Sequence, residues 1–203
     1  MFGFTQTQLI TMAIAFVFAY LYGSVNLSVV ISKFFYGKDI RQYGSKGSGT
    51  TNTIRVLGFH WGIVVFLFDF SKVLIPYFIV TLLGFQVDPG LMAVGAVIGQ
   101  CYPIFMKFRG GKGVASTGAF LLFYHIPYAL VGIGIFMLVL RLSKMVSLSS
   151  LLAILGVTVL SALLQEWNLT IAMTILLLIT YIRHYANIKR IFKGEESKVS
   201  IFD

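Results

Sequence analysis

The sequence predicts an all-α polytopic membrane protein, with about seven transmembrane helices of which some are short or broken. Hydrophobic residues make up 58% of the 203 residues, and charged residues only 11%. That composition is typical of an integral membrane protein rather than of a soluble domain. The apolar stretches are long and do not alternate with polar residues, so helices are predicted and strands are not. Most Lys and Arg residues fall in every second connection between these stretches, as expected for a chain that crosses a bilayer repeatedly.

The apolar stretches lie between charged or turn-rich breaks, and we treat 1–203 as one membrane-embedded domain. The predicted spans are 8–35, 58–84, 90–106, 113–125, 127–142, 147–165 and 167–192. The first is predicted to be retained, because Met1 to Thr11 lacks the basic residues of a signal peptide. Several stretches are no longer than the roughly 20 residues that a straight helix needs to cross the hydrocarbon. An arrangement of five full spans with two re-entrant segments therefore fits the pattern equally well.

The distribution of cations predicts the orientation of the chain. All but one of the 16 Lys and Arg residues lie on one side of an alternating seven-span arrangement. By the positive-inside rule that side is cytoplasmic, which places the N-terminus outside and the C-terminus in the cytoplasm. The net charge of +9 thus indicates membrane orientation and anion binding, and no nucleic-acid partner is predicted.

The exceptional cation is Lys72, which lies within the second stretch, three residues after Asp69. Residues at this spacing share a helix face, so the two are predicted to form an ion pair inside the membrane. That pair is either structural or part of a path for a substrate. The single cysteine, Cys101, excludes an internal disulfide and supplies no zinc or redox pair, and no metal or cofactor is predicted.

A cationic turn rich in glycine follows the third stretch, over residues 107–113, and is called the glycine turn below. Glycines bring bare backbone N–H groups close to a ligand, and the flanking cations add charge to those donors. A phosphate is the ligand that suits this chemistry. The candidate residues are Arg109, Gly110, Gly111, Lys112 and Gly113. The alternative is a cytoplasmic loop whose charge only fixes the topology.

The first connection, residues 39–55, offers backbone N–H groups, hydroxyls, an amide and cations within a short distance. This combination is what recognition of an oxyanion needs. The candidate residues are Arg41, Gly44, Ser45, Gly49, Asn52 and Arg55. A flexible Gly/Ser linker is the alternative interpretation, and the segment is not a P-loop of nucleotide-binding enzymes.

Two further polar segments are predicted on the same side of the membrane. Ser147 and Ser150 stand beside two cations at the start of the sixth stretch, where helix capping or helix–helix contacts also explain them. At the end of the last stretch His184 and Asn187 share a helix face, where a basic tail attracted to anionic lipid is the alternative. We expect all four polar segments to form one shared site for phosphorylated ligands.

These motifs and their order resemble the bacterial acyl-phosphate:glycerol-3-phosphate acyltransferases over nearly the whole chain. The residues that carry the likeness are Tyr20-Leu21-Tyr22-Gly23-Ser24-Val25-Asn26, then Asp39-Ile40-Arg41, Gly44-Ser45, Gly49-Thr50-Thr51-Asn52 and Arg55, then Phe108-Arg109-Gly110-Gly111-Lys112-Gly113-Val114-Ala115, and finally His184, Asn187, Arg190, Gly194 and Glu196.

The sequence also departs from the pattern of that family. It has Gly47-Ser48 where the family usually has Asn-Pro, and Thr50 where an alanine is usual. Gln100 stands where the family usually has a histidine, so a role of that histidine as general base does not carry over. Arg109 replaces the usual lysine, which keeps the charge but not the geometry.

The resemblance implies transfer of a fatty acyl group from acyl phosphate to the sn-1 hydroxyl of glycerol 3-phosphate, the first acylation of bacterial phospholipid synthesis. It implies a multi-pass protein of the bacterial inner membrane that is active as a monomer among membrane lipids, with its site facing the cytoplasm. The implied catalytic residues are Arg41, Ser45, Lys112, His184 and Asn187, and the other candidates named above are implied to bind substrate. The proton acceptor is either the departing phosphate, which we prefer, or His184. A transporter or channel for a phosphorylated solute is the alternative function.

Overall fold

The computed structural model describes residues 5–199, and these residues contain helices and no strand. The helices are α1 Gln6–Gly23, α2 Leu27–Tyr36, α3 Thr50–Leu57, α4 Phe59–Leu82, α5 Pro89–Cys101, α6 Val114–Tyr124, α7 Ile126–Ser143, α8 Val146–Leu163, α9 Trp167–Arg183 and α10 Tyr185–Phe192. Two short 3-10 helices, Ile40–Gln42 and Ile104–Met106, lie in connections. The all-α prediction is confirmed for this part of the chain.

Within the described range, five segments are long and apolar enough to cross a membrane. They are Gln6–Tyr36, Phe59–Leu82, Pro89–Met106, Ile126–Ser143 and Val146–Leu163. A sixth is added if α9 and α10, which meet at an angle of 63°, count as one span. Helix α6 covers the predicted span 113–125 but has only 11 residues. The prediction of seven spans is therefore not confirmed, whereas the prediction of short and broken helices is.

The first predicted span, 8–35, is interrupted between α1 and α2 by Ser24, Val25 and Asn26. The Asn26 side chain accepts a hydrogen bond from the backbone N–H of Val29 at 3.2 Å, which caps the start of α2. Its Nδ2 donates to Ser48 Oγ at 2.7 Å. The break in the helix thus holds the first connection against the membrane-embedded part of the chain.

The chain divides into two compact units, one up to Phe120 and one from Leu121 onward. In the first unit α1 packs on α4 and α5, and α3 packs on α4. In the second unit α8 packs between α7 and α9. The single domain predicted for 1–203 stays a prediction, and residues 1–4 and 200–203 of it lie outside the described residues.

Helices α1 and α5 approach each other backbone to backbone. Ala15, Ala19 and Gly23 form a row of small, buried residues on α1, at the four-residue spacing that keeps one face. Opposite them, a Cβ added to Gly95 would lie 2.9 Å from the carbonyl oxygen of Phe16. Small residues at this spacing are what close helix packing in membranes requires, because the surrounding lipid provides no hydrophobic driving force.

The predicted pair of charges within α4 is present. Lys72 Nζ lies 2.8 Å from Asp69 Oδ1, and the lysine side chain is only 1% exposed. The ammonium also lies 5.4 Å from the centre of the Phe68 ring. A carboxylate and an aromatic face together offset part of the desolvation cost of this charge.

Replacing Gly99 by alanine is expected to disrupt the contact between α1 and α5. The new Cβ would overlap the carbonyl oxygen of Tyr20 and lie 2.9 Å from Ser24 N, and backbone atoms cannot move aside as a flexible side chain can. We expect the free energy of unfolding to fall by roughly 1–3 kcal/mol, measured by thermal denaturation in detergent. Gly118→Ala is the matched control, since a Cβ there meets nothing within 4 Å. Equal stability of the two variants would contradict the role given to this contact.

Candidate active site

The first connection is organised by the side chain of Asn52, which is buried at the start of α3. Its Nδ2 donates to the carbonyls of Gly47 at 2.7 Å and Tyr43 at 3.1 Å, and lies 3.3 Å from that of Ile40. Its Oδ1 accepts from Ser45 N at 2.8 Å. Asn52 was predicted to bind substrate, and the structure shows that its amide holds the backbone of this connection in shape.

Arg41 joins the first connection to the glycine turn. Its Nε and Nη2 donate to the two carboxylate oxygens of Asp39, at 2.9 and 2.7 Å. Its Nη1 donates to the carbonyls of Met106 at 3.2 Å and Arg109 at 3.0 Å. The planar guanidinium fits this arrangement because its donors point in fixed directions. The two predicted anion-binding segments of the first unit are therefore brought together by one side chain.

The electrostatics of the Asp39–Arg41 pair follow from this geometry. The hydrogen bonds from Arg41, which outweigh the opposing effect of burial, hold the pKa of Asp39 at about 2. The same hydrogen bonds raise the pKa of Arg41. Both side chains are mostly shielded from solvent, with 16% and 21% of their surface exposed. The positive charge of Arg41 is thus largely neutralised within the protein, and its main observed role is to hold two loops.

The glycine turn is fastened to the end of α5. The backbone N–H of Gly111 donates to the carbonyl of Gln100 at 2.9 Å. Gly110 and Gly113 are buried against α5, where a Cβ would overlap the Gln100 carbonyl in one case and contact Val97 in the other. Gly113 also has φ of 79°, which favours glycine. Lys112, between Gly111 and Gly113, is half-buried, and the contacts with α5 fix the shape of the turn that carries it.

The remaining candidates of the first unit lie around these anchors. Gly44 has φ of 57° and lies against Asn52, so that a side chain there would collide with the Asn52 amide. Ser45 is half-buried, and Gly49 caps the start of α3 with open space beside it. Arg55, in the last turn of α3, and Arg109, in the glycine turn, are exposed. These two side chains form no ion pair with a carboxylate in residues 5–199.

In the second unit, Glu196 joins two candidates, Ser147 and Asn187, to Arg190. The group that we call the tail cluster is Ser147, Asn187, Arg190 and Glu196. Oε1 of the glutamate accepts from Ser147 Oγ at 2.7 Å and Asn187 Nδ2 at 2.6 Å. Oε2 accepts from Arg190 Nε at 2.8 Å. Burial alone would raise the pKa of Glu196, but these three donors outweigh it and lower the pKa below its usual value. The C-terminal tail is thereby tied to the start of α8 and to α10.

His184 lies where α9 ends and α10 begins, and it is only 2% exposed. Its Nδ1 is 2.8 Å from the carbonyl oxygen of Thr180. A carbonyl only accepts, so Nδ1 carries a proton, and in the neutral ring the lone pair belongs to Nε2. Ser150, by contrast, donates its hydroxyl to the carbonyl of Val146 in its own helix at 2.8 Å.

The structure thus brings the predicted residues together in two places. The first connection and the glycine turn meet through Arg41 in the first unit, and Ser147 and Asn187 meet through Glu196 in the second. One chamber formed by all four polar segments stays a prediction. So do the individual catalytic and binding roles.

Two organising groups were not among the predicted site residues. Glu196 was noted only as part of the resemblance, and the pair formed by Gln100 and Ser116 below the glycine turn was not predicted at all. A usable signal for Glu196 was present in the composition. Only seven residues of the chain are acidic, so a carboxylate within the basic tail was a candidate partner for the nearby cations.

Comparisons with known proteins give a consistent result. A family model described as glycerol-3-phosphate acyltransferase matches residues 13–194. Glycerol-3-phosphate acyltransferase 2 of Lactobacillus acidophilus is 42% identical over 91% of this chain and 88% of that protein. Glycerol-3-phosphate acyltransferase of Geobacillus kaustophilus is 40% identical over 92% and 95% of the two chains.

A solved structure with the same fold is PlsY (YgiH), an integral membrane glycerol 3-phosphate acyltransferase, in its glycerol 3-phosphate form. It superposes with a TM-score of 0.84 at 30% identity and covers 93% of this chain and 96% of that one. The lysophosphatidic acid form of PlsY gives a TM-score of 0.80 at 28% identity. This similarity confirms a helical integral membrane protein.

The ion pair of Asp39 predicts how stability depends on pH. The pKa of Asp39 is about 2 in the folded protein against an ordinary value of 3.8, so its contribution of about 2 kcal/mol is complete above pH 4 and disappears as the pH falls toward 2. We expect Asp39→Asn to be less stable than the wild type at pH 6, with the difference shrinking between pH 4 and 2. Denaturant unfolding in detergent at several pH values measures this. A difference that stays constant with pH would contradict the assignment.

Removing the charge of Glu196 is expected to release the tail cluster. In Glu196→Gln one carboxylate oxygen becomes an NH₂ group that cannot accept from Arg190, Asn187 or Ser147. A buried donor then loses its partner, so the free energy of unfolding should fall by roughly 1–3 kcal/mol. Thermal denaturation measures this, with Glu195→Gln as the matched control because Glu195 is the exposed neighbour in the same tail. Similar melting temperatures for the two variants would contradict the organising role of Glu196.

Proposed function

The chain belongs to the glycerol-3-phosphate acyltransferase family, and from this membership we propose that it acylates glycerol 3-phosphate at the sn-1 hydroxyl, with acyl phosphate as the donor. The products are 1-acyl-sn-glycerol 3-phosphate and inorganic phosphate. The single observation that carries the proposal is the glycine turn, which holds Lys112 on a fixed backbone and is linked to a second loop by Arg41.

The chemistry asks little of the protein beyond binding and electrostatics. In acyl phosphate the acyl carbon is joined to a good leaving group, so the sn-1 oxygen attacks that carbon directly and the bond to the phosphate oxygen breaks. No covalent acyl-enzyme is required. The protein must hold two anionic headgroups near each other and stabilise the oxyanion of the tetrahedral intermediate.

In the first unit, Lys112 and the glycine turn bind one phosphate in this proposal, and the N–H of Gly111, which donates to Gln100, is not among the donors. The observation behind this part of the proposal is that Gly110 and Gly113 are buried, with no room for side chains between their backbone and α5. Arg55, Arg109, Ser45 and the open N-terminus of α3 at Gly49 supply further donors. Arg41, Gly44 and Asn52 act by holding these donors in place, since their own groups are committed to the loops.

In the second unit, His184 and the tail cluster bind and orient glycerol 3-phosphate in this proposal. The hydrogen bond from His184 Nδ1 to Thr180 fixes the ring, so Nε2 is the atom able to accept a hydroxyl proton. Ser147 and Asn187 are oriented through Glu196. We retain the departing phosphate as the preferred proton acceptor and His184 as the alternative.

The finer placement of the protein in its membrane is also part of the proposal. The predicted topology puts the N-terminus outside the cell and the C-terminus and both polar sites in the cytoplasm, within the bacterial inner membrane. Its support is the location of all but one of the 16 cations on a single side. The enzyme acts as a monomer surrounded by lipid, and the acyl chain of the donor extends into the bilayer.

Phosphate release tests the donor and the glycine turn together. Purified protein in detergent should release inorganic phosphate from palmitoyl phosphate only when glycerol 3-phosphate is present. Lys112→Ala should lower the rate at least about a hundredfold, because a charge that stabilises the reacting groups is removed. Lys193→Ala, which removes an exposed cation after α10, should keep the rate of the wild type.

No release from the folded wild type would contradict acyl phosphate as the donor. Full activity of Lys112→Ala would instead leave the reaction intact and remove the glycine turn from the site.

A further inference from the structure

The backbone of α4 at Asp69 is linked to the end of α5, below the glycine turn, through two neutral side chains. Ser116 Oγ lies 2.6 Å from the carbonyl oxygen of Asp69, which forms the ion pair with Lys72. The same hydroxyl lies 2.7 Å from Gln100 Oε1. Ser116 is fully buried and Gln100 is 4% exposed. One buried hydroxyl of α6 thus lies within hydrogen-bond distance of an oxygen of α4 and an oxygen of α5, and its single proton is donated to one of them at a time.

Gln100 in turn supports the glycine turn with its backbone, and its side chain lies beside Gly111. Its carbonyl accepts from Gly111 N at 2.9 Å. Its Cγ and Nε2 lie 3.7 and 3.8 Å from the position that a Cβ on Gly111 would occupy. The turn itself has few side chains with which to fix its shape, because Gly110, Gly111 and Gly113 have none. Its shape therefore depends on its neighbours, of which Gln100 is one, together with Arg41 and Val97.

We propose that Ser116 and Gln100 are positioning residues, which transmit the fixed location of α4 to the glycine turn and so set the phosphate affinity of that turn. The proposal rests on the proposed binding of phosphate by Lys112 and its neighbours. The network begins at the backbone carbonyl of Asp69, whose side chain forms the ion pair with Lys72 at 2.8 Å.

A hydroxyl bridge of this kind differs from the other buried serines of the first unit. Ser24 is equally buried, but its hydroxyl donates at 2.8 Å to the Tyr20 carbonyl in the last turn of α1, which directly precedes it. Removing that hydroxyl changes a contact at the end of one helix. Removing the hydroxyl of Ser116 takes away its contacts with two other helices, including the one to the Gln100 amide oxygen. Ser24→Ala is therefore the matched control for Ser116→Ala.

The experiment measures inorganic phosphate as an inhibitor of acyl transfer and as a stabiliser of the protein against heat. For Ser116→Ala we expect the inhibition constant of phosphate to rise about tenfold, which corresponds to the loss of one well-placed hydrogen bond, with kcat changed much less. Ser24→Ala should keep the inhibition constant of the wild type. A merely structural serine would lower the melting temperature without changing phosphate affinity, and that result would overturn the proposal.

A second variant, Gln100→Glu, tests the same network by placing a negative charge beneath the glycine turn. It provides a test even if Ser116→Ala does not fold. A carboxylate beneath the glycine turn should repel phosphate once it ionises. The inhibition constant relative to the wild type should then rise with pH between 4 and 7. A ratio that does not change with pH would overturn the proposal.

Thermal protection by inorganic phosphate requires no donor, so it separates the two proposals. If the wild type is protected by phosphate but releases none from palmitoyl phosphate, only the donor is wrong. If acyl transfer proceeds and Ser116→Ala and Gln100→Glu bind phosphate as the wild type does, only the positioning network is wrong.

Discussion

The close approach of α1 and α5 is the constraint on which the first unit depends. Gly95 and Gly99 allow the backbone of α5 to touch that of α1, and no larger residue fits at either position. In lipid there is no hydrophobic driving force for apolar helices to associate, so close van der Waals packing must supply the attraction. The end of α5 carries Gln100, and the glycine turn is attached to it. The position of Lys112 thus depends on the contact of Gly95 and Gly99 with the backbone of α1.

Carboxylates hold cations in place in three separate parts of the protein. Asp39 pairs with Arg41 in the first connection, Asp69 with Lys72 within α4, and Glu196 with Arg190 in the tail. In a chain with a net charge of +9, each of these acids lowers the local repulsion between cations. Three of the acids thus fix the positions of Arg41, Lys72 and Arg190.

The sequence allowed the helical class, most helix positions and the existence of the Asp69–Lys72 pair to be predicted, because hydropathy and helical periodicity are local properties. The break at Ser24 to Asn26 was not predicted, since three small or polar residues barely alter the hydropathy of a long apolar stretch. The role of Asn52 was also beyond prediction. An asparagine in a polar loop is equally suited to contacting a ligand. Only the folded structure shows that four backbone groups surround the Asn52 amide. Contacts between distant segments, such as Arg41 with Arg109, depend on the tertiary structure and leave no periodic signal.

The attachment of the glycine turn to α5 has a thermodynamic consequence for ligand binding. A glycine-rich segment that is free in solution loses much conformational entropy when it closes around an anion. Here the contacts with Gln100 and Val97 impose that order during folding, before a ligand arrives. If the turn binds phosphate as proposed, little of the binding free energy is lost to ordering the backbone. It also follows that loosening the support beneath the turn would show first as weaker binding and only later as unfolding.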